Sequence, residues 1–473
     1  MKNRNNGTGW SRRSAIAGAV AAGVGARYAP LAQAAAPAQP DIIWIMADDL
    51  GFADTGYTGL RGARTPNIDR IAKEGLFLRQ AYANSAVCSA TRTGLITGRY
   101  QYRLRVGLEE PLNTLDPDLD QALGLDPAHP TLPSLLRKAG YRTSLVGKWH
   151  LGEGPRFGPL HSGYDHFYGI TAGGTDYFRH QPGTSPMGPR ATPLFDGETP
   201  SSDVGYVTEL FSTRAVREIE ALHGLAQPLF LSLHYTAPHW PWEGPGDKAI
   251  SDALTDIQHH DGGNLATYHK MIEAMDAGIG RVLAAIEHRG RSRDTIVIFT
   301  SDNGGERFSD TWPFIGQKTE LLEGGLRVPL FIRWPARIPA GGRSEQVNIS
   351  MDWFPTLLAA AGTAPDPAFP SDGQNLLDVI TGKAPAHPRR LYWRYKNAEQ
   401  AAMRDGDWKY LKLGKGEWLF NLAADERERA NLSQKDPARF AAMKRDWADW
   451  NTSMLQYTAQ TGSHSIEGFA DRY

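Results

Sequence analysis

The chain has 473 residues, a formal net charge of −1, 41% apolar and 22% charged residues, with 50 Gly, 31 Pro, 13 Trp and a single Cys. That length predicts one large core with a satellite, or two to three domains, and the ordinary composition argues against disorder. With no long basic run there is no electrostatic footprint for nucleic acid, and one cysteine cannot form an internal disulfide.

Residues 1–34 read as an export signal. They have a basic start, an Ala-rich stretch from Ala15 to Ala26, and small residues at Ala32 and Ala34 that make an A-x-A cleavage site. Ser11-Arg12-Arg13 resembles a twin-arginine signal, with Ala15 where such signals usually carry Phe. The segment is too short and too Gly-rich to span a membrane, and no run of about 18 apolar residues occurs elsewhere. It holds Lys2, Arg4, Arg12, Arg13 and Arg27 and no acid, so its removal lowers the formal charge to −6. A periplasmic or secreted protein is expected, stabilised by packing rather than by disulfides.

Short apolar runs, each followed at once by polar residues, alternate with helical patterns. "DIIWIMADDLG" (Asp41–Gly51) reads as a buried strand, and "TPNIDRIAKEG" as a helix that stops at Gly75. "CSATRTGLITG" opens a helix with Cys88 at its N-terminus and Arg92 one turn on, on the same face. A free cysteine is ordinarily a buried, inert hydrophobe. Here the neighbours Ser89, Thr91 and Arg92 are polar, and the helix N-terminus favours an anion. "TLPSLLRKAG" is a helix, followed by strands in "YRTSLVGKWHLG" (Tyr141–Gly152) and "PLFLSLHYTAPHWP" (Pro228–Pro241). "YHKMIEAMDAGIGRVLAAIEHRG" puts Met271, Met275, Ile279, Val282 and Ile286 on one helical stripe. "DTIVIFTSDNGG" (Asp294–Gly305) and "VPLFIRWP" (Val328–Pro335) are further strands.

After about Ser350 the texture changes. A helix in "MDWFPTLLAAAG" leads to a Pro/Gly/Asp-rich connector. Strand-like runs then follow, split at Asp405-Gly406 and at Gly414-Lys415-Gly416, with a closing helix in "PARFAAMKRDWADWNTSM". The expected fold class is α/β, with a large, mostly parallel central sheet flanked by helices and a smaller C-terminal antiparallel α+β subdomain. The expected division is 1–34 export signal, 35–365 catalytic domain and 366–473 C-terminal subdomain.

Polar groups gather where the strands end: Asp48-Asp49, Lys148 with His150, His239, and Asp302-Asn303. In open α/β sheets, ligands bind beyond the carboxyl ends of the strands, so these groups should meet in one crevice. Asp48, Asp49, Asp302 and Asn303 offer only oxygen, which suits Ca2+ or Mg2+ rather than zinc. Lys148, His150, His239 and Lys318 beside such a cation describe a site for a tetrahedral oxyanion ester, sulfate or phosphate. Lys148 and His150 are two apart, which in extended backbone puts both on one side. The loops Gly173–Gly183 and Ala237–Asp247 are expected at the cleft mouth.

These motifs resemble, in family order, those of the type I sulfatases. The resemblance runs through "DIIWIMADDLG", "TPNIDRIAKEG", "CSATRTGLITGR", "GYRTSLVGKWHLG", "APHWP", "SDNGG" and "QKTELLEGGLRVPLFIRWP". It implies an alkaline-phosphatase-like fold and hydrolysis of aryl or carbohydrate sulfate esters. By motif, Cys88 matches the cysteine that a separate formylglycine-generating maturation enzyme oxidises. The resulting gem-diol would bind the metal, usually Ca2+ with Mg2+ second, attack sulfur and later expel sulfate. Asp48, Asp49, Asp302 and Asn303, with residue 88, match the metal ligands. Arg92 matches the arginine that steadies the modified residue, and His150 the base acting on the diol. Lys148 and Lys318 match the sulfate-binding lysines, and His239 the histidine near the leaving oxygen. Ala90 stands where the commonest signature has Pro, resembling a bacterial variant that is still converted. A phosphate or phosphonate monoester hydrolase on the same scaffold, or a non-catalytic binding protein with an unmodified Cys88, are the competing expectations.

Overall fold

The computed structural model describes residues 39–59, 62–113, 123–184, 193–255 and 262–464. Residues 1–34, expected from the sequence to be an export signal with its cleavage site, lie outside them. Among the described residues, no helix is long and apolar enough to cross a membrane.

The centre is a ten-stranded sheet. Five parallel strands form its middle, in the order Thr295–Ser301, Asp41–Ala47, Leu229–His234, Arg142–Lys148 and His166–Ile170. The strand Leu330–Arg333 flanks them antiparallel to Thr295–Ser301. Every residue of Asp41–Ala47 is buried, because helices cover both faces of the sheet. Ile43 and Ile45 face one core, and Ile42, Trp44 and Met46 the other. That two-sided burial is why the strand is a continuous apolar run rather than an alternating one.

The 24-residue helix Leu265–His288 closes the first core, and its whole stripe of Met271, Met275, Ile279, Val282 and Ile286 is buried. It lies against the helix Val207–Glu220, and a Cβ on Gly278 would fall 2.0 Å from Ser212 Oγ.

The C-terminal strands Arg390–Tyr395, Gln400–Asp405, Trp408–Leu413 and Gly416–Asn421 form a separate antiparallel sheet. Its two tight turns fall at Asp405-Gly406 and at Gly414-Lys415-Gly416, as read from the sequence, and the helix Pro437–Thr452 covers one face. The other face shares a hydrophobic cluster with the segment leading into Cys88: Trp393, Leu411 and Phe420 lie with Tyr82, Ala86, Val87 and Ala90. Trp393 Nε1 also donates to the carbonyl of Ala83 at 2.9 Å. The C-terminal sheet therefore backs the loop before Cys88.

Candidate active site

Register brings the polar groups level. Ala47 pairs with Ser301, so Asp48 and Asp302 leave the sheet side by side, and Gly147 pairs with His234. Gly147 has φ 114°, and a Cβ there would lie 1.8 Å from the His234 carbonyl oxygen. Only glycine allows that approach, which delivers Lys148 to the edge of the crevice.

Cys88 begins the helix Cys88–Thr97, in which every residue is buried. Donor atoms of Cys88, Asp48 and His239 lie within 4.8 Å of one another. Burial pushes the Cys88 thiol up to about 12, despite the opposing pull of Lys148. At neutral pH the unmodified side chain is thus a protonated thiol, a poor nucleophile. Proximity of Cys88 to the other groups does not by itself make it reactive.

Asp48, Asp49 and Asp302 also bring oxygens within 4.8 Å of one another. Asp49 sits at φ 63°, an uncommon conformation that turns its carboxylate towards the other two. Burial, then the charge of Asp302, raises the Asp48 carboxyl well above its ordinary range. Burial also pushes Asp49 upward, but Lys318, His239 and Lys148 outweigh it and hold that carboxyl low. Asn303 Nδ2 donates to Asp49 Oδ1 at 2.7 Å. Asp48 Oδ1 and Asn303 Oδ1 are buried with no hydrogen-bond partner among the described residues. Mutually repelling, oxygen-only groups with two orphaned oxygens fit a hard divalent cation.

The cations are placed by these carboxylates. Lys148 Nζ donates to Asp48 Oδ2 at 2.6 Å, and Lys318 Nζ to Asp49 Oδ2 at 2.7 Å and Glu306 Oε2 at 3.2 Å. Burial opposes both ammonium charges, but the facing carboxylates win and keep both lysines protonated. Arg92 Nη2 and Nε donate to Asp302 Oδ2 at 2.8 and 3.1 Å, and Nη1 donates to the Lys148 carbonyl at 2.9 Å. Arg92 thus bridges the Cys88 helix, a metal-type carboxylate and the end of a strand.

The two histidines are held in defined tautomers. His150 has φ 60°, so the backbone is not extended there, and its ring meets the Leu112 carbonyl at 2.8 Å through Nε2. The backbone is therefore left-handed at His150 rather than extended as the sequence suggested, yet the Lys148 charge still acts on the imidazole. A carbonyl partner makes Nε2 the donor, so Nδ1, which has no partner among the described residues, carries a free lone pair. Burial, then Lys148, pushes the His150 imidazole well below its ordinary value, so it is neutral, as a base must be. His239 Nδ1 donates to the Trp240 carbonyl at 2.7 Å, which turns Nε2 towards Asp49 Oδ2 at 3.6 Å. Burial and Lys318 lower the His239 imidazole as well.

All ten residues singled out from the sequence converge here. Two more belong with them. Glu306 pairs with Lys318, and His234 Nδ1 lies 3.4 Å from Arg92 Nη1 and 3.2 Å from the Lys148 carbonyl. The available signals were a histidine closing the apolar run "LFLSLH" and an acid four residues after Asp302. At the expected cleft mouth, Gly173 lies against the His150 ring, where a Cβ would come within 2.7 Å of Cε1. Gly174 lies near the His239 ring, and Trp240 packs on it. Asp176, Tyr177, His180 and Trp242 of the same loops are buried, and Asp176 accepts from Phe178 N, Arg179 N and Ser251 Oγ as a structural turn.

The family model described as sulfatase matches residues 40–363, and one described as N-sulphoglucosamine sulphohydrolase, C-terminal, matches residues 315–446. Arylsulfatase J of Mus musculus is 30% identical over 482 residues, covering 90% of this chain and 78% of that protein. N-acetylgalactosamine-6-sulfatase of Mus musculus is 31% identical over 366 residues, covering 74% and 68% respectively. The crystal structure of Ps i-CgsB superposes with a TM-score of 0.80 at 30% identity over 91% of this chain and 96% of that one, and its complex with k-i-k-neocarrahexaose with a TM-score of 0.79. The chain belongs to the sulfatase family, sulfuric ester hydrolases of alkaline-phosphatase-like fold.

Proposed function

We propose that this protein is an exported hydrolase of carbohydrate sulfate esters that works through a formylglycine derived from Cys88. The observation that carries the reading is the convergence of Cys88, Asp48 and His239 donor atoms within 4.8 Å, with Lys148 and Lys318 paired to the adjoining carboxylates. Hydrated formylglycine supplies an oxygen that attacks sulfur and a second hydroxyl whose deprotonation releases sulfate. Asp48, Asp49, Asp302, Asn303 and residue 88 would hold Ca2+, with Mg2+ the lesser fit, and the cation supplies charge that polarises the ester.

Within the pocket, Lys148 and Lys318 bind the sulfate oxygens and offset their charge as the S–O bond breaks. His150 Nδ1, with its lone pair free, takes the proton from the second hydroxyl. Arg92 fixes the Cys88 helix against Asp302. His239 Nε2 faces the leaving side. An incoming sulfate anion favours its protonated form, from which it donates to the departing alkoxide. Burial of every one of these groups excludes bulk water and strengthens each interaction.

The carbohydrate assignment draws on Ps i-CgsB, whose complex holds an oligosaccharide at 30% identity to this chain. It also draws on the exported character expected from residues 1–34. The test is hydrolysis of p-nitrophenyl sulfate beside p-nitrophenyl phosphate, then a panel of sulfated mono- and oligosaccharides, using protein co-expressed with a maturation enzyme. Sulfate release from saccharides, with sulfate preferred over phosphate, supports the reading. A clear preference for phosphate overturns it.

A further inference from the structure

We propose that Gln400, at the start of a C-terminal strand, is a positioning residue for Lys318, acting through the strained residue Thr319. This rests on the reading of Lys318 as a sulfate-binding lysine. Thr319 has φ 71°, a left-handed conformation that a β-branched residue adopts only when its surroundings impose it. Gln400 supplies two of those constraints with one buried amide. Its Nε2 donates to the Thr319 carbonyl at 2.7 Å, and its Oε1 accepts from Leu321 N at 2.9 Å. Gln400 is itself fixed, since its Nε2 also reaches the Asn397 carbonyl at 3.3 Å and it follows Ala398 and Glu399, both at positive φ.

The strained residue ties three parts of the site together. Thr319 N donates to the carbonyl of Ala86, two residues before Cys88, at 2.9 Å. Lys318 N donates to the carbonyl of Gly305, two residues after Asn303, at 2.9 Å. If Thr319 relaxes to negative φ, the peptide between 318 and 319 turns, and the Lys318 ammonium leaves Asp49 and Glu306. Other bonds hold the rest of the loop: Glu323 N donates to Glu428 Oε2, and Lys409 Nζ to Glu323 Oε1. Loss of Gln400 therefore releases the lysine without freeing the whole segment.

The experiment compares the full-length matured enzyme with Gln400→Ala, Gln400→Glu, Thr319→Gly and Thr319→Gly/Gln400→Ala. Tyr410→Phe, which removes a bond to Glu417 elsewhere in the same sheet, is the control. Readouts are kcat/KM on p-nitrophenyl sulfate, affinity for inorganic sulfate by calorimetry, and melting temperature. We expect Gln400→Ala to lose at least tenfold in kcat/KM and in sulfate affinity, with Tyr410→Phe unchanged. In the Thr319→Gly background, where left-handed backbone is free of strain, the same change should cost only two- to threefold. If Gln400→Ala does not fold, Gln400→Glu, which keeps shape and acceptor but loses the donor, gives the same comparison. Activity within twofold of wild type in the Gln400 variants overturns the proposal, as does an equal loss in both backgrounds. A wild type inert on sulfate esters defeats the functional reading alone, because sulfate affinity still reports the effect of Gln400.

Discussion

In the proposed reading Cys88 is the residue on which the chemistry turns, and its surroundings explain why a thiol alone would be idle. Burial outweighs the nearby lysines and keeps the sulfur protonated. Cys88→Ala should therefore abolish measurable turnover, while the melting temperature falls by no more than the loss of one small buried group implies, about 1 kcal/mol. Thermal melting beside a sulfate-release assay checks both halves, and wild-type-like rates in that variant would disprove the covalent role. His150 presents Nδ1 because Nε2 is committed to the Leu112 carbonyl. His150→Ala should lower kcat by roughly 10²–10⁴-fold, the usual contribution of a positioned base. Single-turnover kinetics should then show alcohol released in a burst with sulfate release slowed.

Glu110 illustrates a residue whose cost is set by pH. Its buried carboxyl accepts from Lys396 N, Ser463 Oγ and the Tyr457 hydroxyl, yet burial wins and raises it from 4.5 to about 7. Between those values the folded chain binds more protons at this site than the unfolded chain. Its contribution to stability is thus fully present below about pH 4.5 and is lost as pH rises through 7. Glu110→Gln should flatten this part of the profile, an effect on the order of 1–3 kcal/mol between pH 5 and pH 7.5. Melting curves of the two proteins at both pH values decide it, and parallel profiles would contradict the account.

At the scale of elements, the parallel strands do two jobs with one pattern. Two-sided burial demands continuous apolar runs, and the register of those runs brings their polar ends level. This is why Asp48, Asp302 and Lys148 are legible in the sequence as one crevice. The contacts that were not legible depend on backbone states and on distant partners. His150 looked extended but is left-handed. Glu306 and His234 find their partners only when separate strands and loops assemble. Gln400 is 81 residues from Thr319 along the chain, a pairing that no local pattern encodes. The Leu265–His288 helix was plain from its stripe, and its role is packing. Met275→Ala should destabilise by about 2–5 kcal/mol and leave kcat unchanged below the melting transition. Denaturant unfolding with parallel activity assays measures both.

At the scale of the whole molecule, the C-terminal sheet is part of the active site's support rather than an appendage. It shares a hydrophobic cluster with the loop before Cys88 and grips the loop after Lys318. The sequence marked its hairpins clearly but not the surface on which it packs, because antiparallel alternation tells which face is apolar and not what covers it. The proposed oxygen-only ligand set likewise brings together residues about 250 positions apart in the chain, Asp48-Asp49 and Asp302-Asn303. Prolonged chelation should lower activity and added Ca2+ should restore it more fully than Mg2+, since the cation relieves repulsion among buried carboxylates. Indifference to chelator would contradict the ligand assignment.

The central claim is that Cys88 serves only after conversion, and mass analysis of the peptide spanning Cys88 tests it most directly. Protein co-expressed with a maturation enzyme should carry formylglycine at position 88, and sulfatase activity should rise in proportion to the converted fraction. An intact thiol at Cys88 in protein that still hydrolyses sulfate esters at full rate would contradict the account.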